Sequence, residues 1–236
     1  PWPTLGHRSL DGELLLLRKG GDSPLLAAAA RCVTADRAAR EAGFALVDQD
    51  SVPPSHLSVP DWADLGWLEK KVSAGFALFK LKCGADLRSE ANRVRQLCAH
   101  FGEELRLRLD FNECLDLEGF RGFVDLLEKS VEQIDYIEDP LPYEPGLWKE
   151  LEAEIPLKLA VDRASALATK GFGVRVIKPA WEAIPKPREK VVFTSAMDHP
   201  LGQLYATYEA TQYDGVQEDA GLLTHWIFEP NEFSEG

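Results

Sequence analysis

No nucleotide-cradling loop is present in this sequence. Neither G-x-G-x-x-G nor a P-loop run follows any strand-like stretch, and Gly171-Phe172-Gly173 precedes an apolar run instead of opening a helix. Histidines are sparse, at positions 7, 56, 100, 199 and 225, with no H-x-x-x-H spacing, which argues against a histidine metal centre or triad. The 4 cysteines form no C-x-x-C pair and read as reduced thiols of a cytoplasmic protein. Cys83 and Cys114 read as small buried fillers, since no paired base is evident. No apolar run approaches the roughly 18–20 residues that span a bilayer. Positive charge is also short: 26 basic against 39 acidic residues leave a net charge of −13. Nucleic acid and anionic membrane are therefore excluded as main partners, while a small anionic substrate held by a few cations is not. The start, Pro1-Trp2-Pro3-Thr4, lacks Met and does not resemble a signal peptide, so an upstream segment is expected.

What is there is alternation. At 236 residues, 45% hydrophobic and 28% charged, the chain suits one large α/β barrel or two smaller domains. Helices are expected over 8–19 and 24–42, the second with Ser23 as N-cap, Pro24 behind it and Gly43 as its stop. Pro53, Pro54 and Pro60 bracket a first short strand over 55–59 and mark a domain boundary. Strands then follow over 76–83, 105–111, 134–138, 156–162, 174–178 and 190–195. Helices are expected between them over 61–74, from Asp86, from Asp116 and over 145–153, with a last one over 199–211. Strand–helix units of roughly 25 residues imply a parallel sheet with crossover helices, and seven or eight of them favour a closed barrel.

In such a barrel, chemistry belongs at the C-terminal strand ends. Those ends carry Lys82, Asp110, Glu138, Asp162, Lys178 and Ser195, each polar or charged after an apolar run. Singly, each acid could be the N-cap of the next helix. Together, Asp110, Glu138 and Asp162 close adjacent strands and would repel one another without a cation between them. All-oxygen donors point to Mg²⁺, with Mn²⁺ as the alternative. Lys80 and Lys82 sit two apart and share a strand face, so each is expected to disfavour the other's charge and lower its pKa. A solvated face fits the same spacing. Lys82 on the second strand and Lys178 on the sixth lie opposite each other in an eight-stranded barrel. A substrate carboxylate between them could lose its α-proton to a lysine and pass through an enediolate. His56, near the end of the first strand, could reach this site or serve packing.

These residues resemble the enolase superfamily. Phe79-Lys80-Leu81-Lys82 resembles its K-x-K strand, and Leu109-Asp110-Phe111-Asn112 its first metal ligand with the Asn that follows. Ile137-Glu138-Asp139-Pro140, Val161-Asp162 and Val176-Ile177-Lys178-Pro179 resemble the second ligand, the third ligand and the opposing lysine strand. Paired lysine strands mark the muconate lactonising subgroup. Ala220-Gly221-Leu222-Leu223-Thr224-His225, Phe228-Glu229-Pro230, Pro1-Trp2-Pro3 and Arg108 are most similar to the o-succinylbenzoate synthase family.

The resemblance implies a modified TIM barrel, (β/α)7β, with an incomplete α+β capping domain. Residues 1–52 would be the helical part of the cap, 53–225 the barrel and 226–236 a tail returning toward the cap. It implies a magnesium-dependent syn-dehydration of 2-succinyl-6-hydroxy-2,4-cyclohexadiene-1-carboxylate in menaquinone biosynthesis. Lys82 would be the base, Lys178 a lasting cation, and Asp110, Glu138 and Asp162 the metal ligands. Lys80 would tune Lys82, with Arg108, Asn112, Ser195 and Thr194 in support. A dipeptide epimerase or N-acylamino acid racemase of the same subgroup is the first alternative, and a non-catalytic metal-binding barrel the second. The chain departs from the family where D-E-S gives way to Asp162-Arg163-Ala164, and where the links over 163–173 and 179–189 are short. Either those crossover helices are reduced or residues are absent.

Overall fold

The computed structural model describes residues 8–182, 184, 189–197 and 200–224. Two helices come first, α1 (Leu10–Arg18) and α2 (Pro24–Ala42). As expected, the Ser23 hydroxyl caps α2 by accepting from the Leu26 N–H, and Gly43 ends it in the left-handed region at φ 75°. The barrel units follow: β1 (Ser55–Ser58), α3 (Leu65–Ser73), β2 (Leu78–Lys82), α4 (Leu87–Phe101), β3 (Arg106–Asp110), α5 (Leu117–Leu127), β4 (Ile134–Glu138) and α6 (Pro145–Glu154). They continue with β5 (Leu159–Val161), β6 (Val174–Ile177), β7 (Val191–Phe193), α7 (Pro200–Gln212) and β8 (Ala220–Leu223). Helix α3 starts four residues later than the periodicity suggests, because Asp64 and not an earlier residue accepts from the Trp67 N–H.

All eight strands run parallel in the order β7-β6-β5-β4-β3-β2-β1-β8. Short bridges, Val191 to Gln217 and Thr194 to Gly221, join β7 to the β8 side, so the sheet is a nearly closed barrel. The seam leaves no room at Gly221: a Cβ there would stand 2.5 Å from His56 Cε1 and 2.7 Å from Thr194 Cγ2. Strand β8 is absent from the sequence expectations, since Ala220-Gly221-Leu222-Leu223 has neither alternation nor β-branched residues to mark it.

Helices α4 and α5 cover β2 to β4 with Ala91, Val94, Leu97 and Cys98 from one and Phe120, Phe123 and Leu127 from the other, all buried. Their spacing of three and four residues is what a helix needs to present one apolar face. Between β5 and β6 the crossover helix is reduced to turns. The buried Arg175 holds those turns in its place, donating to the carbonyls of Ser165 and Ala168, with its guanidinium 4.8 Å from the Phe172 ring. Of the second short link, residues 183 and 185–188, with Pro185 and Pro187, lie outside the described residues. So do Pro1-Trp2-Pro3, His7, His199, His225 and the expected tail over 226–236. No helix among the described residues is long and apolar enough to cross a membrane.

Candidate active site

Strand register sets the site. Lys82, Asp110 and Glu138 are direct neighbours across β2, β3 and β4, and Glu138 pairs with Ala160 two residues before Asp162. The three acids thus stand side by side on one rim of the barrel. Lys178 follows β6, four strands from β2 in a ring of eight, so the two lysine strands are opposite as expected.

The side chains form two groups. Lys80 lies half-buried between Asp110 and Glu138, at 2.8 Å and 2.7 Å, and Lys82 donates to the same Asp110 oxygen at 2.8 Å. Lys178 ion-pairs with Asp162. The side chain of Lys82 is 54% exposed and that of Asp110 only 4%, so Lys82 is the one of the pair that can meet a substrate. The expected mutual lowering of the lysine pKa values does not hold at Lys80. Burial alone would lower it, but the charges of Asp110 and Glu138 outweigh that and hold its pKa well above the ordinary value. Lys178 is likewise raised, by Asp162 and Glu138, against the pull of burial. Lys80 is therefore a fixed cation that keeps two acids together.

Glu138 stands apart from its neighbours. It is 1% exposed, and burial with the Asp110 charge pushes its carboxyl up to about 7. Its second oxygen, Oε2, has no hydrogen-bond partner among the described residues. A buried acceptor left without a donor is costly, and a cation beside it would relieve both the orphaned oxygen and the raised pKa. Among the described residues no three acid, histidine or cysteine side chains converge closely enough to hold a metal ion, because each acid is turned onto a lysine. The donor chemistry nonetheless fits a hard divalent cation: three carboxylates on adjacent strand ends, one with a free buried oxygen.

Asp139, quoted with Glu138 but given no role in the sequence, proves structurally central. It sits at φ 42°, and its two oxygens accept from the Asp162 and Arg163 N–H groups at 3.0 and 2.8 Å. Burial, with the charges of Asp162 and Glu138, raises its pKa to about 8. Glu182 is a further, half-buried acid, raised to about 7 by burial and by Asp162, and no sequence signal marks it. Asn112 belongs to the rim: its N–H reaches Asp110 Oδ1 at 3.2 Å, and its side-chain oxygen accepts from Arg163 at 3.4 Å.

Other candidates lie elsewhere. Arg108, expected to support the substrate, is wholly buried inside the barrel. It donates to Asp135, faces His56 Nδ1 at 2.8 Å, donates to the Asp219 carbonyl and stacks 4.5 Å from the Tyr136 ring. With its donors so occupied, it is a barrel-core residue. The Ser195 hydroxyl shares a 2.6 Å hydrogen bond with Thr224 at the β7–β8 seam, and Thr194 Oγ1 has no partner among the described residues. Neither touches the acid–lysine groups. Cys114 is exposed, which corrects its expected role as a buried filler, while burial pushes the Cys83 thiol far up.

His56 serves packing. Burial and the Arg108 charge, with Lys80 behind it, lower its pKa well below 6.5, against a smaller upward pull from Asp110. The unfolded chain protonates this residue below pH 6.5 and the folded one does not, so stability falls as pH drops through that value. Between pH 7.5 and 5.5 the wild-type protein is expected to lose about 1.4 kcal/mol more than His56→Asn in urea unfolding. Parallel pH dependences in the two proteins would mean that His56 titrates alike in both states.

Parallel closure, opposed lysine strands and an acid row between them define a class. Residues 66–168 match the Enolase C-terminal domain-like family, so this part of the chain is an enolase C-terminal-like domain. Within that class it is similar to o-succinylbenzoate synthase of Bdellovibrio bacteriovorus, 29% identical over 252 residues, which takes in 99% of this chain and 76% of that enzyme. An L-Lys-D/L-Arg epimerase of Desulforapulum autotrophicum is 30% identical over 65% of this chain and 43% of its own length. Among solved structures, muconate lactonizing enzyme from Pseudomonas fluorescens, complexed with muconolactone, superposes with a TM-score of 0.73 at 17% identity, over 94% of this chain and 67% of that one. o-Succinylbenzoate synthase from Thermosynechococcus elongatus, with Mg in its active site, gives 0.55 at 21% identity, over 72% and 59%. The chain thus spans about three quarters of one curated relative and less than half of the other.

Proposed function

We propose that the protein is a cytoplasmic, magnesium-dependent o-succinylbenzoate synthase, acting on 2-succinyl-6-hydroxy-2,4-cyclohexadiene-1-carboxylate, and that residues 1–52 are the end of its capping domain. The observation that carries this is the placement of Lys82 and Lys178 on opposite strands with three carboxylates on the rim between them. Similarity to the Bdellovibrio enzyme over nearly the whole chain supports the choice of reaction.

Asp110, Glu138 and Asp162 would hold the metal, which when bound supplies positive charge to the substrate carboxylate. Every other task falls to side chains. Lys82, as the neutral amine, takes the proton from the carbon next to the carboxylate. The electrons of that C–H bond form the new ring double bond as the C–O bond of the 6-hydroxyl breaks. Lys82 returns the proton to the departing oxygen from the same face, so water leaves and the ring becomes aromatic. Lys178 stays protonated on the opposite side and stabilises the negative charge that develops meanwhile. Lys80 keeps Asp110 and Glu138 together.

The same pair of opposed lysines could instead exchange an α-proton between two faces, and similarity to the Lys-Arg epimerase supports that second reading. Purified full-length protein with Mg²⁺ is expected to convert the cyclohexadiene to o-succinylbenzoate. Absence of that product, together with racemisation of N-acylamino acids or dipeptides, would replace the first reading by the second.

A further inference from the structure

At the mouth of the barrel, three lysines are already committed: Lys80 to Asp110 and Glu138, Lys82 to Asp110, and Lys178 to Asp162. Arg163, the residue after Asp162, is a fourth cation of a different kind. Its backbone is fixed, since the buried Asp139 carboxyl accepts its N–H at 2.8 Å. Its side chain is exposed, and among the described residues it makes no ion pair. One contact places it: a guanidinium nitrogen lies 3.4 Å from Asn112 Oδ1. Arg163 is rooted behind β5 and Asn112 behind β3, so the side chain reaches across the end of β4, the strand that carries Glu138.

The contrast with the other arginines of the barrel is informative. Arg108 and Arg175 direct their donors onto buried acids and carbonyls and are structural. Arg163 uses one donor, weakly, of the five a guanidinium offers. A planar fork of donors on an anchored backbone, beside a reaction centre, is suited to bidentate capture of a carboxylate. The carboxylate next to the reacting carbon is not that group, because it belongs between the opposed lysines.

We propose that Arg163 receives a second, distal carboxylate of the substrate, so that the site selects diacids over mono-acids and over substrates with a cationic arm. The identity of the diacid rests on the dehydratase reading; the selectivity does not. Isothermal titration calorimetry of the full-length protein with Mg²⁺ tests it, with o-succinylbenzoate and its distal monoamide as the two probes. Wild-type protein is expected to bind the diacid about tenfold or more tighter than the amide, as suits a charged hydrogen-bonded pair. Arg163→Met should bring the two affinities within about twofold, and Arg163→Lys should restore part of the preference by charge without the fork. Thermal melts check that the variants, altered at an exposed side chain, remain folded. No preference in the wild type, or the same preference in Arg163→Met, overturns the proposal. Loss of the preference in Arg163→Met, in a protein that forms no o-succinylbenzoate, would uphold it while the dehydratase reading fell.

Discussion

Replacing Lys82 with alanine is expected to lower kcat by about 10²–10⁴-fold, the contribution of a positioned general base, with a much smaller change in KM. Its neighbour cannot stand in for it. Lys80 is half-buried, ion-paired on both sides at 2.7 and 2.8 Å, and held in its charged form by two acids. A base must reach the substrate proton and give up its own first, and Lys80 can do neither without breaking two short contacts. Lys82 has one partner and an exposed side chain. Because that pair is partly solvated, its loss should cost the fold about 1 kcal/mol or less. Steady-state kinetics and α-proton exchange in heavy water, measured on the same preparation, check both halves. Exchange retained within tenfold of wild type would remove Lys82 from the role of base.

Glu138→Ala should fail in two separable ways. The first is metal affinity. Glu138 offers the buried oxygen without a hydrogen-bond partner, the best-placed acceptor for a cation on this rim. Its removal should weaken Mg²⁺ binding by more than the roughly 10–100-fold that losing an outer partner of a ligand costs. The second is stability. Lys80 would keep Asp110 but lose its other buried partner, and breaking a buried pair costs about 3–5 kcal/mol when nothing replaces it. With Asp110 still present, the lower end of that range is expected in urea unfolding. Glu138→Gln keeps the volume and a hydrogen-bonding oxygen for Lys80, so it should recover stability while metal binding stays impaired. Asp110→Ala should lose activity through the same route. Full activity of either alanine variant in the presence of a chelator would sink the entire site assignment.

The two results depend on different layers of the molecule. Lys82 stands at the open end of β2, and its proposed role follows from being last in its strand. The surroundings of Glu138 are set by partners on β2 and β3 that only the assembled barrel supplies. Arg108 shows how strand-end reasoning overreaches: two residues before Asp110 on the same face, it looked like part of the site. It lies one level deeper, where β1, β4 and the β8 approach close around it, and its charge answers to Asp135 instead of a substrate.

By itself, the amino-acid sequence determined the alternation of strands and helices, the caps at Ser23, Asp86 and Asp116, and the ionisable residues at the ends of five successive strands. Those features depend on neighbours a few positions apart, through side-chain periodicity and the hydrogen bonds of one helix turn. Tertiary structure alone decided the rest: the seam at β8, the double pairing that keeps Lys80 charged, and the clamp of Asp139 on the backbone of Asp162 and Arg163. Each joins residues more than twenty positions apart. Which charges meet there is set by the register between strands, and the resulting burial determines whether a lysine or an acid keeps its proton.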